Sequence, residues 1–151
     1  MREFPHHYSV TAVAHPSGDV TLGGDHLPAL ATAPPLEFDG PGDRWSPETL
    51  MAAAVADCFA LTFRGIAKVT KVPWTMLTSH VTATLERVER VTLFTGFSIE
   101  AVVQVPAGTS EENVRRALAR AEETCLISNS LKGSRHLDVV VQVADGELVA
   151  D

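Results

Sequence analysis

The chain has 151 residues, 45% of them hydrophobic and 21% charged, with a formal net charge of −7. That length predicts one domain with a substantial core, over residues 1–151. Arg115 and Arg116 stand beside Glu111 and Glu112 and no basic run exists, so nucleic acid and anionic membrane surfaces are not expected partners.

Met1 to His7 has no apolar core and no small-residue cleavage site, unlike a secretory signal. Tyr8 to Ala14 alternates and is rich in β-branched residues, His15 to Asp19 reads as a turn, and Val20 to Leu22 resumes a strand. The prolines between Leu27 and Leu36 leave room for one short edge strand, and Glu37 to Trp45 is a Gly/Pro/Asp loop. Ser46-Pro47-Glu48 is a helix start, with Ser as N-cap, Pro in the first turn and an acid against the helix dipole. From there Leu50/Met51, Ala54/Val55, Cys58, Leu61, Gly65/Ile66 and Val69 recur at helical spacing, and the helix ends before Pro73. So few polar residues interrupt it that it is expected to be buried on most sides. Its longest apolar stretch, Leu50 to Ala56, is short for a bilayer span.

Leu77 to Arg90 and Phe94 to Val105 both alternate and form a hairpin joined through Val91-Thr92-Leu93. Thr109-Ser110-Glu111-Glu112 starts a second helix through Thr124, Cys125 to Leu131 adds a short helical turn, and His136 to Val143 is a last strand. The order predicts an α+β fold with antiparallel sheets around a long central helix. One sheet covers one side of that helix, so a second copy is expected on the other, in a homodimer with these helices paired.

Two cysteines carry the chemistry. Cys58 lies inside the long helix and Cys125 closes the second. One thiol can attack and the other resolve, or both can be small buried hydrophobes. The expected compartment is the cytosol, where a permanent disulfide is disfavoured and a transient catalytic one is allowed. No Cys-x-x-Cys is present, and the six histidines show no ligand spacing with each other or with an acid. No metal and no organic cofactor are therefore expected. Trp45 and Trp74 read as packing residues. Met51, Phe59, Phe63 and Ile127 read as core, with some able to line an apolar pocket.

Ser46-Pro47-Glu48 leading to Cys58-Phe59-Ala60-Leu61-Thr62, with Cys125-Leu126-Ile127-Ser128-Asn129-Ser130-Leu131 after a charged helix, resembles the OsmC/Ohr family. The resemblance covers most of the chain. It implies an OsmC-like intertwined homodimer and a thiol peroxidase for organic hydroperoxides, in some branches for hydrogen peroxide. It further implies that Cys58 is the peroxidatic cysteine, Cys125 the resolving cysteine, and Glu48 the acid that helps position an active-site arginine. In the organic-hydroperoxide branch that arginine sits in the N-terminal hairpin turn, where this chain has His15-Pro16-Ser17-Gly18-Asp19. The substitute is Arg44 in the loop before the long helix, whose other reading is a solvated residue near Asp43. Asp57 would raise the Cys58 thiol if it faced the same way, but helix neighbours point about 100° apart.

Thiolate attack on a peroxide would give a Cys58 sulfenic acid, which Cys125 condenses to a disulfide. A cellular dithiol would reset the pair; in better-known relatives this is a lipoylated protein. The alternatives are a non-enzymatic ligand-binding or redox-sensing member of the same fold, and a structural dimer with inert thiols.

Overall fold

The N-terminal alternation becomes a small antiparallel sheet, in a computed structural model that describes residues 1–144. The chain divides into two compact units, Met1–Leu50 and the residues from Met51 on. In the first unit β1 (Thr11–Val13), β2 (Val20–Gly23) and β3 (Leu30–Thr32) pair in that order. The first strand is shorter than its pattern: Tyr8 to Val10 lie outside the ladder and are exposed. Gly18 closes the β1–β2 turn at φ 89°, a conformation that costs glycine little. Ala33 N–H donates to the Trp45 carbonyl at 2.9 Å, which brings the end of the loop back to β3.

Helix α1 (Pro47–Thr70) starts where the sequence predicts. Thr49 N–H donates to Ser46 Oγ at 3.1 Å and Ser46 N–H donates to Thr49 Oγ1 at 2.8 Å, a reciprocal cap with Thr in the role usual for Glu. At the other end Lys71 takes φ 56° and Val72 N–H donates to Ala67 O at 3.0 Å, a left-handed stop just before Pro73.

The second unit holds β4 (Met76–Val88), β5 (Val91–Val105), α2 (Glu111–Thr124), α3 (Leu126–Asn129) and β6 (Ser134–Val143). The hairpin turn is Glu89–Arg90, both left-handed at φ 49° and 69°, not Val91-Thr92-Leu93. Two such residues in a two-residue loop match the twist of the flanking strands, and the lack of Asn-Gly or Asp-Gly there hid the turn. A bulge at Thr84/Leu85 shifts the register. Strand β6 pairs with β5 in parallel, where the order of the elements had suggested antiparallel sheets. The helices α2 and α3 supply the crossover that a parallel pairing needs.

The core lies on one face of the β4-β5-β6 sheet. Val55, Phe59, Phe63 and Ala67 of α1 meet Phe97, Ile99, Ala101, Val103 and Val105 of β5, with Val114, Leu118 and Ala121 of α2. Burying a residue such as Phe59 contributes about 1.5–3 kcal/mol. Only that four-residue stripe of α1 is buried; Leu61 is 51% and Val69 82% exposed. The expected burial on most sides is therefore not supplied by one chain. As a whole α1 is long and apolar enough to cross a membrane, although Leu50 to Ala56 alone is not. Its Val55–Ala67 stripe is built into the sheet's core.

Candidate active site

Cys58 and Cys125 come together in the second unit, both as free thiols. They are close enough to share a hydrogen bond and for charge on one to disfavour charge on the other. Their settings differ. Cys58 is half-buried on α1, whereas Cys125 is completely buried between α2 and α3, capping the end of one and the start of the other.

Burial pushes the Cys58 thiol above its ordinary value. The nearby backbone amide of Ile127 opposes that shift, Cys125 adds to it, and the Thr62 hydroxyl, 3.9 Å away, opposes it. Thr62 stands four residues after Cys58, on the same helix face. Asp57 is exposed and is not among the groups acting on Cys58.

The segment carrying Ile127 is tied down on both sides. Arg135 of β6 pairs with Glu122 of α2 at 2.6 Å and donates to Asn129 Oδ1 at 2.7 Å; Asn129 Nδ2 donates to the Glu123 carbonyl at 3.2 Å. A Cβ on Gly133 would lie 3.0 Å from the Thr95 backbone, so only glycine lets the chain pass from α3 into β6 this closely.

The other two candidates lie in the first unit. Arg44 Nε donates to Asp19 Oδ2 at 2.9 Å, and its Nη1 lies 3.3 Å from the Asp43 carboxylate. These two acids raise the guanidinium further. Asp19 is the last residue of the predicted hairpin turn, so Arg44 is fastened to that turn. Glu48 borders an apolar cavity of about 500 Å³ walled by Val20, Leu22, Pro34, Phe38 and Leu50. Its Oε2 is buried with no hydrogen-bond partner among the described residues. Phe59 and Phe63 are core, as the sequence reading had them. Trp74 packs edge-on against Phe63, ring centroids 5.3 Å apart. Among the described residues no three His, Cys, Asp or Glu side chains form a cluster able to hold a metal ion.

Residues 40–140 match the family described as OsmC-like protein, a span that includes Glu48, Cys58 and Cys125. The chain belongs to the OsmC-like family. No curated protein sequence matches it. An OsmC-like protein of unknown function from Vibrio cholerae is similar in fold, with a TM-score of 0.82 at 17% identity, covering 90% of this chain and 100% of that one. An organic hydroperoxide resistance protein, OsmC, from Legionella pneumophila is 26% identical with a TM-score of 0.72, over 93% of this chain and 100% of that one. Another from Elizabethkingia anophelis shares the fold at 21% identity and a TM-score of 0.69, covering 93% and 100% of the two chains. Membership of this family associates the chain with peroxidase-type roles in oxidative stress at the level of the family.

Thr62, the Ile127 amide and Ser128 are contacts to the two sulfurs that the sequence did not assign. Thr62 at i+4 from Cys58 and Ser128 at i+3 from Cys125 were the available signals, since helical residues three or four apart are neighbours.

Proposed function

We propose that this OsmC-like protein is a two-cysteine thiol peroxidase that reduces organic hydroperoxides in the cytosol as a homodimer. The observation that carries this reading is the meeting of two free thiols of unequal exposure, with the Ile127 backbone beside the more accessible one. A Cys58 thiolate attacks the terminal peroxide oxygen; the O–O bond breaks, the alkoxide takes up the proton that the thiol released and leaves as an alcohol, and Cys58 becomes a sulfenic acid. Cys125 then displaces that hydroxyl as water and a Cys58–Cys125 disulfide forms. A dithiol, such as a lipoylated protein, reduces the disulfide and is itself oxidised.

The unpaired apolar surface of α1 and the orphan oxygen of Glu48 support a dimer. A buried carboxylate oxygen without a donor is costly. Glu48 and Cys58 are ten residues apart on one unbroken helix, about 15 Å along its axis. Glu48 is therefore assigned to the partner's reaction centre, reached through an arginine. Arg44 is the candidate, because Asp19 fastens it to the turn where the organic-hydroperoxide branch carries its arginine.

A specific observation favours a second reading, a redox sensor or ligand-binding member without turnover: the Cys58 thiol is shifted upwards, and Arg44 is bound to two acids. Steady-state consumption of cumene hydroperoxide with a lipoyl dithiol separates the two. Turnover faster for the organic hydroperoxide than for hydrogen peroxide is expected, because burying an alkyl or aryl group contributes roughly 25 cal/mol per Å². One-time oxidation without turnover would leave the sensor reading standing.

A further inference from the structure

Ser128 is 2% exposed and Cys125 is fully buried, and the Ser128 hydroxyl donates to Cys125 Sγ at 3.4 Å. Thr62 reaches Cys58 Sγ only at 3.9 Å, and three other helical hydroxyls bond to backbone instead. Thr70 donates to the Ile66 carbonyl at 2.8 Å, Thr124 to the Arg120 carbonyl at 2.7 Å and Ser130 to the Leu126 carbonyl at 2.8 Å, each the usual bond four residues back. Ser128 gives its proton to a sulfur instead.

We infer that Ser128 is a positioning residue for the resolving step: its hydroxyl holds the Cys125 sulfur and donates to the negative charge that sulfur carries as it attacks the Cys58 sulfenic acid. The inference rests on the two-cysteine cycle proposed above. In that step the Cys125 sulfur bonds to the Cys58 sulfur, the Cys58 S–O bond breaks, and the departing hydroxide takes up the proton that Cys125 released, leaving as water. Hydrogen bonds to ionised acceptors are about twice as strong as neutral ones, so the Ser128 contact strengthens as the sulfur ionises.

The titratable groups around Cys125 do not supply this effect. Cys58 on α1 faces it and carries no charge once it is a neutral sulfenic acid. Glu122 of α2 and Arg135 of β6 pair with each other.

Thiolate fraction rises tenfold for each unit by which a thiol becomes more acidic, while nucleophilicity falls with a Brønsted coefficient of about 0.4–0.5. A donor to the attacking sulfur therefore speeds the step at neutral pH and slows it slightly where the thiol is fully ionised. That crossing is a signature a loosened helix would not produce.

The test is rapid-quench mass spectrometry of the full reduced chain after one equivalent of cumene hydroperoxide, from about pH 6 to pH 10. In Ser128→Ala, formation of the Cys58 sulfenic acid should keep its wild-type rate. Disulfide formation should be about three- to tenfold slower near neutrality and should converge with or overtake wild type at the alkaline end. Ser128→Thr, which keeps the hydroxyl, should restore the wild-type profile. A parallel slowing of Ser128→Ala at every pH would reduce Ser128 to a packing residue, as would an unchanged rate. If wild type forms no Cys58–Cys125 disulfide, the two-cysteine cycle itself fails and this inference falls with it. If wild type forms one and Ser128→Ala matches it across the range, the inference alone fails.

Discussion

The two cysteines look alike in sequence and unlike in the fold. Each stands beside apolar residues in a helical stretch of sequence, yet Cys58 is half-buried along the middle of α1 while Cys125 is completely buried at a joint between two helices. Cys58 has a backbone amide beside it and a threonine hydroxyl at 3.9 Å; Cys125 receives a buried serine hydroxyl at closer range. The lesson is that composition around a thiol does not set its role. Exposure and the donors directed at the sulfur do, because they decide whether a peroxide can reach it and how readily it ionises.

The sharpest way to break this comparison is to remove each sulfur in turn. Cys58→Ser should abolish hydroperoxide consumption completely. Cys125→Ser should keep the first reaction and then accumulate sulfinic acid on Cys58 under excess peroxide, since no partner intercepts the sulfenic acid. Mass spectrometry after one equivalent and again under excess peroxide reads both, and sulfenic acid appearing first on Cys125 would reverse the assignments.

Whether the accessible thiol is served by its own chain is the next question. Glu48→Gln and Cys58→Ser subunits, each inactive alone, are mixed. A shared site gives the heterodimer one intact centre and about half of wild-type activity, as two-fold symmetry requires. An inactive heterodimer would place the acid and the thiol in service of the same chain.

A smaller effect is expected at Thr62. Its hydroxyl lies 3.9 Å from Cys58 Sγ, so Thr62→Val should slow the first step only a few-fold at neutral pH, in line with a weak hydrogen bond. Loss of a hundredfold or more would mean that Thr62 contacts the peroxide itself.

The smallest effect is on stability. Burial raises the Cys58 thiol, so the folded chain holds that proton to higher pH than the unfolded chain. The linked stability is fully present below the ordinary thiol value and is lost as pH rises through the elevated one. Urea midpoints measured from about pH 7 to pH 10 should fall more steeply for wild type than for Cys58→Ser. Equal slopes would remove Cys58 from the alkaline balance.

What the sequence determined by itself is what a few neighbouring residues encode. The Ser46 cap, the apolar recurrence from Leu50 to Val69 and the end before Pro73 are local, and they made α1 legible, although the stripe buried in the core is Val55, Phe59, Phe63 and Ala67. The alternation of β4 and β5 was legible for the same reason, and the resemblance carried by the Cys58 and Cys125 motifs led to the family that the match over residues 40–140 shows. Tertiary structure decided the rest. The parallel seating of β6, the Arg44–Asp19 ion pair across 25 residues and the approach of Cys125 to Cys58 join segments far apart in the chain. No periodicity specifies such contacts, because they depend on which faces are buried against each other after the loops close. The Ser128 hydroxyl shows the limit most plainly: the sequence places it three residues from Cys125, and only the packed helix joint, with both residues buried, shows it donating to the sulfur.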